Sequence, residues 1–438
     1  MRKRTLISRA LLPVMLAGCA LYSDVSIAPL IVTPTTIERG ADVHSALKRS
    51  DFLRAIEMTS NIEARQRKTA ADLAALGSAE LAAGRYDNAR RHLREAIDLD
   101  PFRTALMNIE WSLSEVEYMS NNYDASLEWA KLAQGHGMSI KQWHMEYLEA
   151  LANTDVYHFS GATSDSLKMR VGRPDVPRID VRLNGSTTPA NAVVDSGAVL
   201  SIVSQKLATK LPVRKLDIDP GTFFGLLGEP IKVEFGLLDK LELGGVTVEN
   251  VPVAIMPDEK MTFFVNGERS FSIDFLLGAN LLKEFRIEFD FPRSLATFTK
   301  LTSLDRHADP AQNVFMENFR PMVHGTVNGK GWYLFVLDTG SEVTFLNESQ
   351  MATLPIAVQP PRMHNARLQG LGGAQKHGGK VQNVQVGLDK WEGTFRDLPM
   401  YSSANEQERA VGIVGENFLK NFRVVLDFGR MRMDLHKG

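Results

Sequence analysis

The chain has 438 residues, 44% apolar and 23% charged, with a formal net charge of -2. That length suits two to four domains rather than one, and the charge balance offers no electrostatic footprint for nucleic acid. One cysteine, Cys19, excludes an intrachain disulfide and any thiol-peptidase chemistry outside its own context.

Arg2, Lys3 and Arg4 make a basic start, and an apolar stretch from Ala10 to Gly18 follows before Cys19. This is the order of a secretory signal peptide. The stretch is too short for the ~20 residues of a bilayer-spanning helix. Leu16-Ala17-Gly18-Cys19 resembles the lipobox of bacterial lipoproteins; a short buried helix with a chance cysteine is the other reading. The resemblance implies cleavage before Cys19, acylation of its thiol, and attachment to a membrane through the lipid. Ala20, where retained lipoproteins carry Asp, implies the outer membrane of a Gram-negative bacterium, facing the periplasm. Residues 1–18 are then a leader, and residues 19–40 a tether that includes Asp24 and the stretch to Pro34.

From 41 to 157 the chain is rich in Ala, Leu, Glu and Arg, with apolar residues at helical spacing. The clearest segment is ADLAALGSAELAAGRYDNARRHLREAIDLDP, Ala71 to Pro101. Small Gly77 and Ala89 let two antiparallel helices approach; Gly84 ends the first and Pro101 stops the second. Leu73, Leu76, Gly77, Ala89, Leu93, Ala96 and Pro101 resemble the signature positions of a tetratricopeptide repeat. A weaker copy spans Ala105 to His136, with Ala125 and Trp129 matching Ala89 and Leu93. The stretch before Lys68 has room for another helix pair. The resemblance implies a docking surface for a protein partner; a plain helical bundle is the alternative.

After Val171 alternating β-branched and apolar residues and Gly-containing turns take over. This part divides into similar halves, 172–301 and 320–438, with a linker at 302–319. IDVRLNG from Ile179 matches MVHGTVNG from Met322, each a strand running into an Asn-Gly turn. AVVDSGAVLSIVS from Ala192 matches FVLDTGSEVTFLN from Phe335, 143 residues later. Gly-rich hairpins follow, GTFFGLLGEPIKV from Gly221 and LQGLGGAQKHGGKV from Leu368. FLLGANLLKEFRIEFDF from Phe275 and GIVGENFLKNFRVVLDF from Gly412 close the halves.

Each half thus carries Asp, a hydroxyl residue and Gly between apolar runs, then an apolar pair and Gly (Leu276-Leu277-Gly278, Ile413-Val414-Gly415). This order resembles the aspartic peptidases, nearer to retropepsin-like bacterial members than to pepsin, over about 260 residues from Val176 to Gly438. The resemblance implies an all-β bilobal fold after the all-α helical region. It also implies a protein or peptide substrate, no cofactor, no metal, and catalytic Asp195 and Asp338. The chemistry gives a reason for two copies. Two facing carboxyls cannot both ionise easily, so they share a proton. The ionised one then takes a proton from water while the other polarises the carbonyl.

Gly197 and Gly340 permit close approach of the two loops. By resemblance, the hydroxyls of Ser196 and Thr339 brace each loop against the other lobe. The next positions differ, Ala198 and Ser341. A Ser341 hydroxyl bonded to its carboxylate would lower that pKa, which makes Asp338 the expected ionised partner. The hairpins at about Phe223 to Glu229 and Gln369 to Lys376 resemble paired flaps, with Phe224, Gly225, Gly228, Gly370, Gly372 and Gly373 in their bending segments. Ordinary hairpin turns are the other reading. His136, His307, His364 and His377 are scattered without metal-ligand spacing, and GLGGAQ lacks the Lys-Ser/Thr ending of a phosphate loop. Two further readings stay open. The lobes could be a non-catalytic module gripping an extended peptide, or each lobe could pair with another chain.

Overall fold

A computed structural model describes residues 17–18, 25–30, 42–100, 106–170, 175–225, 228–265, 268–356, 366–371, 375–403 and 408–437. The chain forms two compact units. One holds Gly40–Val156 with Leu216–Gly221; the other holds Pro13–Arg39, Tyr157–Lys215 and Thr222–Gly438.

The first unit is helical, with Val43–Lys48, Phe52–Glu63, Ala70–Ala82, Tyr86–Leu99, Leu106–Met119, Tyr123–Gly135 and Gln142–Ala152. Local chemistry sets the helix ends. The Thr69 hydroxyl accepts the Asp72 N–H at 3.1 Å, and the Asp72 carboxylate accepts the Thr69 N–H at 3.0 Å. Past the end of that helix Gly84 takes φ 70°, a conformation that terminates the turn. A Cβ at Gly77 would lie 2.4 Å from Leu93 Cγ, so glycine is what lets these helices meet. Leu73, Leu76, Ala89, Leu93 and Ala96 are all buried, as their spacing predicts. Pro101 lies outside the described residues. The stretch before Lys68 does hold two helices. Among the described residues no helix is long and apolar enough to cross a membrane.

The second unit is β-rich and holds both sequence halves. In the first lobe the strand order is His158–Gly161, Val246–Met256, Ser201–Ser204, Phe275–Leu277, Ala190–Val194, Arg178–Leu183, Pro230–Leu243 and Arg214–Lys215. In the second it is Val25–Pro29, Trp391–Tyr401, Phe345–Asn347, Gly412–Val414, Lys330–Leu337, Arg320–Val327 and Val314–Glu317. The central strands follow one order in both lobes, so the sequence repeat is a structural repeat.

A further sheet joins the lobes. Phe285–Asp290 from the first pairs antiparallel with Arg423–Asp427 from the second, Arg286 opposite Asp427 and Asp290 opposite Arg423. Phe285, Ile287, Phe289, Val424 and Leu426 are buried, the alternation expected of a sheet with one covered face. The lobes therefore pair within one chain.

Three boundaries differ from the sequence reading. The expected tether contains a strand: Val25–Pro29 pairs antiparallel with Trp391–Tyr401. Its alternation of half-buried Val25 and Ile27 with exposed Ser26 and Ala28 covers a sheet edge. His158–Gly161 does the same for Val246–Met256, the matching strand of the first lobe. Ser164–Lys168 joins the shared sheet beside Leu295–Lys300. After the helical region the β-rich unit thus resumes at Tyr157, not 172. These strands lack an apolar period because hydroxyl pairs hold them in part: Ser164 with Thr299 and Ser166 with Thr297, each at 2.8 Å. The linker shortens too, since Val314–Glu317 pairs with Arg320–Val327. Cys19 lies outside the described residues; Ala17–Gly18 pairs with Ala366–Gly370.

Candidate active site

In the first lobe Ala190–Val194 runs into Asp195-Ser196-Gly197, and the chain returns as Ser201–Ser204. Phe275–Leu277 inserts between these strands, parallel to one and antiparallel to the other. The Asp195 N–H donates to the Leu277 carbonyl at 2.9 Å. The second lobe repeats this with Gly412–Val414 between Lys330–Leu337 and Phe345–Asn347, and the Asp338 N–H donates to Val414 at 3.1 Å.

An asparagine locks each loop. Asn280 Oδ1 accepts the Ser201 N–H at 2.7 Å and its hydroxyl at 3.0 Å. Asn417 Oδ1 accepts the Thr344 N–H and hydroxyl, both at 2.8 Å. The same hydroxyls accept the N–H groups of Gly278 at 3.0 Å and Gly415 at 3.2 Å. The sequence reading missed these four residues. Their signal was present: each half has a hydroxyl residue six places after its Asp and an Asn two places after its Gly.

The loops grip each other across the lobes. Thr339 Oγ1 accepts the Ser196 N–H at 3.0 Å and donates to the Val194 carbonyl at 2.7 Å. Ser196 Oγ accepts the Thr339 N–H at 3.1 Å and donates to the Leu337 carbonyl at 2.7 Å. Gly197 faces the Asp338 carboxyl and Gly340 the Asp195 carboxyl, each with no room for a Cβ.

Both carboxyls are fully buried. Asp195 Oδ1 accepts the Ala198 N–H at 3.0 Å, and Asp338 Oδ1 accepts the Gly340 N–H at 2.9 Å. Neither Oδ2 has a hydrogen-bond partner among the described residues, and each carboxyl bears on the protonation of the other. Burial pushes Asp195 well above the ordinary range; the negative charge of Asp338 raises it further, against the N–H groups of Ala198 and Gly197. Burial also raises Asp338, to about 7, against the Asp195 side chain, the Gly340 N–H and the positive charge of Arg320. Burial and the neighbouring charge therefore keep the two from ionising together, so the pair holds a proton between them.

Ser341 departs from expectation. Its hydroxyl donates to the Val343 carbonyl at 2.8 Å, so its single proton is spent on the turn and not on the Asp338 carboxylate. Only its backbone N–H helps to lower that pKa. Ala198 is fully buried at the matching place.

Both Gly-rich hairpins form. Gly221–Phe224 runs into a turn in which the Gly228 N–H donates to Gly225 at 2.9 Å and Gly228 takes φ 81°. Ala366–Gly370 pairs with Gln375–Gly378, and a Cβ at Gly225 would lie 2.3 Å from the Leu371 carbonyl oxygen. Gly225 and Leu371 thus lie in close contact. Phe224 is half-buried; Gly372 and Gly373 lie outside the described residues. Elsewhere Glu63, Glu80 and His92 bring ligand-type atoms within 4.8 Å of one another, a grouping that sequence spacing did not reveal. His92 Nδ1 is already held by Glu80 at 2.7 Å.

Residues 179–281 match the family described as Aspartyl protease. The chain is similar to a retropepsin-like aspartic protease from Rickettsia conorii, with 17% identity and a TM-score of 0.24 over 34% of this chain and 97% of that one. It is similar also to an aspartic proteinase from Irpex lacteus, with 11% identity and a TM-score of 0.37 over 63% of this chain and 97% of that one. A comparison with curated proteins finds no match.

Proposed function

We propose that the chain is an aspartic endopeptidase in which Asp195 and Asp338 together activate water against a peptide bond. The reading is carried by the buried, mutually facing pair of carboxyls held by the Ser196–Thr339 exchange. The family match over 179–281 supports it. Asp338, ionised, takes a proton from the attacking water as general base. Asp195, protonated, donates a hydrogen bond to the scissile carbonyl and stabilises the charge that develops on its oxygen. Asp195→Asn and Asp338→Asn should each abolish cleavage of an unfolded protein substrate while leaving the fold intact. Full activity in either variant would sink the pairing.

The helical unit, on this reading, is a tetratricopeptide-like adaptor that docks a partner or substrate; the Gly77–Leu93 approach supports it. The order Leu16-Ala17-Gly18-Cys19 supports a lipid anchor, with the mature protein facing the periplasm from the outer membrane. Cys19→Ser should move the protein out of the membrane fraction; unchanged partitioning would remove the anchor.

A further inference from the structure

The repeat allows a direct comparison of what faces each aspartate from the neighbouring strand. In the second lobe Met322 pairs with Val336 in an antiparallel ladder. Two residues further along that register, Arg320 stands opposite Asp338. In the first lobe Arg178 pairs with Val193, and the Val194 N–H donates to Pro177 at 2.9 Å. The same step places Val176 opposite Asp195. Val176 and Arg320 are equivalent by sequence as well, each eight residues before its Asn-Gly turn (Asn184, Asn328). One position thus holds a buried aliphatic side chain and the other a fully buried guanidinium.

We propose that Arg320 is the positioning residue that makes Asp338 the carboxylate of the pair, and that Val176 leaves Asp195 as the acid. A buried guanidinium is costly unless it is paired. Arg320 Nη2 donates to Glu408 at 2.8 Å, and both side chains are buried. Glu317 sits across the ladder from Arg320 and pairs with Arg409. Among the described residues, Asp195 from the other lobe, Arg320 from the adjacent strand, Tyr401 from Trp391–Tyr401 and Glu416 from the helix that follows Gly415 act electrostatically on Asp338 or feel its charge. Burial holds the Tyr401 phenol and the Glu416 carboxyl in their neutral forms. Arg320 is the cation of this set. Ser341 at the loop does not supply the asymmetry, because its hydroxyl is turned away.

The inference deepens the peptidase reading and rests on it only for its kinetic consequence. The test uses the full chain labelled with carboxyl-13C aspartate, with NMR titrations assigned through Asp195→Asn and Asp338→Asn. In the wild type Asp338 should titrate below Asp195; the reverse order overturns the proposal without any variant at position 320. Arg320→Met with Glu408→Gln removes the buried pair without orphaning a charge. In that variant the Asp338 titration should rise, by less than the loss of a lone cation would give because the Glu408 charge goes with it. The acid limb of kcat/KM should rise with it, and Arg320→Lys should restore both. An unmoved Asp338 titration in the folded double variant overturns the proposal. If the wild type cleaves nothing yet the titration moves, the peptidase reading fails and the role of Arg320 stands. If cleavage is intact and the titration does not move, the converse holds.

Discussion

Gly197 lies so near Asp338 that a Cβ there would stand 2.5 Å from the carboxyl carbon, and Gly340 meets Asp195 in the same way at 2.3 Å. Each glycine is the wall against which the other lobe's carboxyl rests. Gly197→Ala or Gly340→Ala must push the loops apart, at a cost of about 1–3 kcal/mol from overpacking. Loss of cleavage should exceed what that destabilisation explains, because the separation of the carboxyls changes directly. Thermal melts alongside cleavage rates at a temperature where the variants remain folded give the answer; a variant with wild-type rates contradicts it.

Ser196→Ala removes two buried hydrogen bonds and leaves the Thr339 N–H and the Leu337 carbonyl without that partner. About 2–3 kcal/mol of stability should go, the usual cost of stranding buried polar groups. Thr339→Val should cost a similar amount. The double variant should lose less than the sum, since both hydroxyls serve one junction. Denaturant unfolding of the single and double variants measures the coupling, and strict additivity would show that the two exchanges are independent.

The pair also makes stability depend on pH. Asp338 sits at about 7 in the folded chain, against about 3.9 for an exposed aspartate, and Asp195 is raised too. The folded state then holds protons that the unfolded state releases, so stability falls as pH rises. This contribution is whole below about pH 4 and is lost as pH climbs through about 7. Asp338→Asn removes the dependence of that group. Its melting midpoint should exceed that of the wild type at pH 8 by several degrees and approach it at pH 4. Equal midpoints at pH 8 would contradict the raised value.

Asn280 and Asn417 each hold a loop through one carbonyl oxygen. Asn417→Leu strands the Thr344 N–H and should destabilise by about 1–3 kcal/mol. Asn417→Asp keeps the acceptor and should be milder above the pH at which the new carboxyl ionises. Calorimetry of the two variants at neutral pH decides; equal losses would mean that the amide nitrogen matters more than the oxygen.

A chain beginning at Tyr157 keeps His158–Gly161 and Ser164–Lys168, and one beginning near Gly172 loses both. The first should fold and keep any activity on a short peptide. The second should melt lower, with Leu295–Lys300 left as a bare edge prone to association. Gel filtration and melting of both truncations test this, and identical behaviour would make the two strands ornamental.

The bilobal core and its aspartate loops were legible because they occur twice. Asp195 and Asp338 carry the same apolar flanks, the same Gly and the same closing strands, so each half checks the other. Val25–Pro29 and Ser164–Lys168 were not legible. They are short, largely polar, and held by partners distant in sequence, such as Trp391–Tyr401 and Leu295–Lys300. Ser341 was misread for a different reason: sequence gives a hydroxyl its place but not its rotamer, and this one turned to Val343. Arg320 went unnoticed because its significance lies in a cross-strand register that the sequence does not print.

Two identical lobes facing each other would accept an extended peptide equally well from amino to carboxyl end or the reverse. The sheet formed by Phe285–Asp290 and Arg423–Asp427 binds unlike lobes into one molecule and so frees the two walls to differ. With Val176 buried beside one aspartate and Arg320 beside the other, the two carboxyls need not be interchangeable.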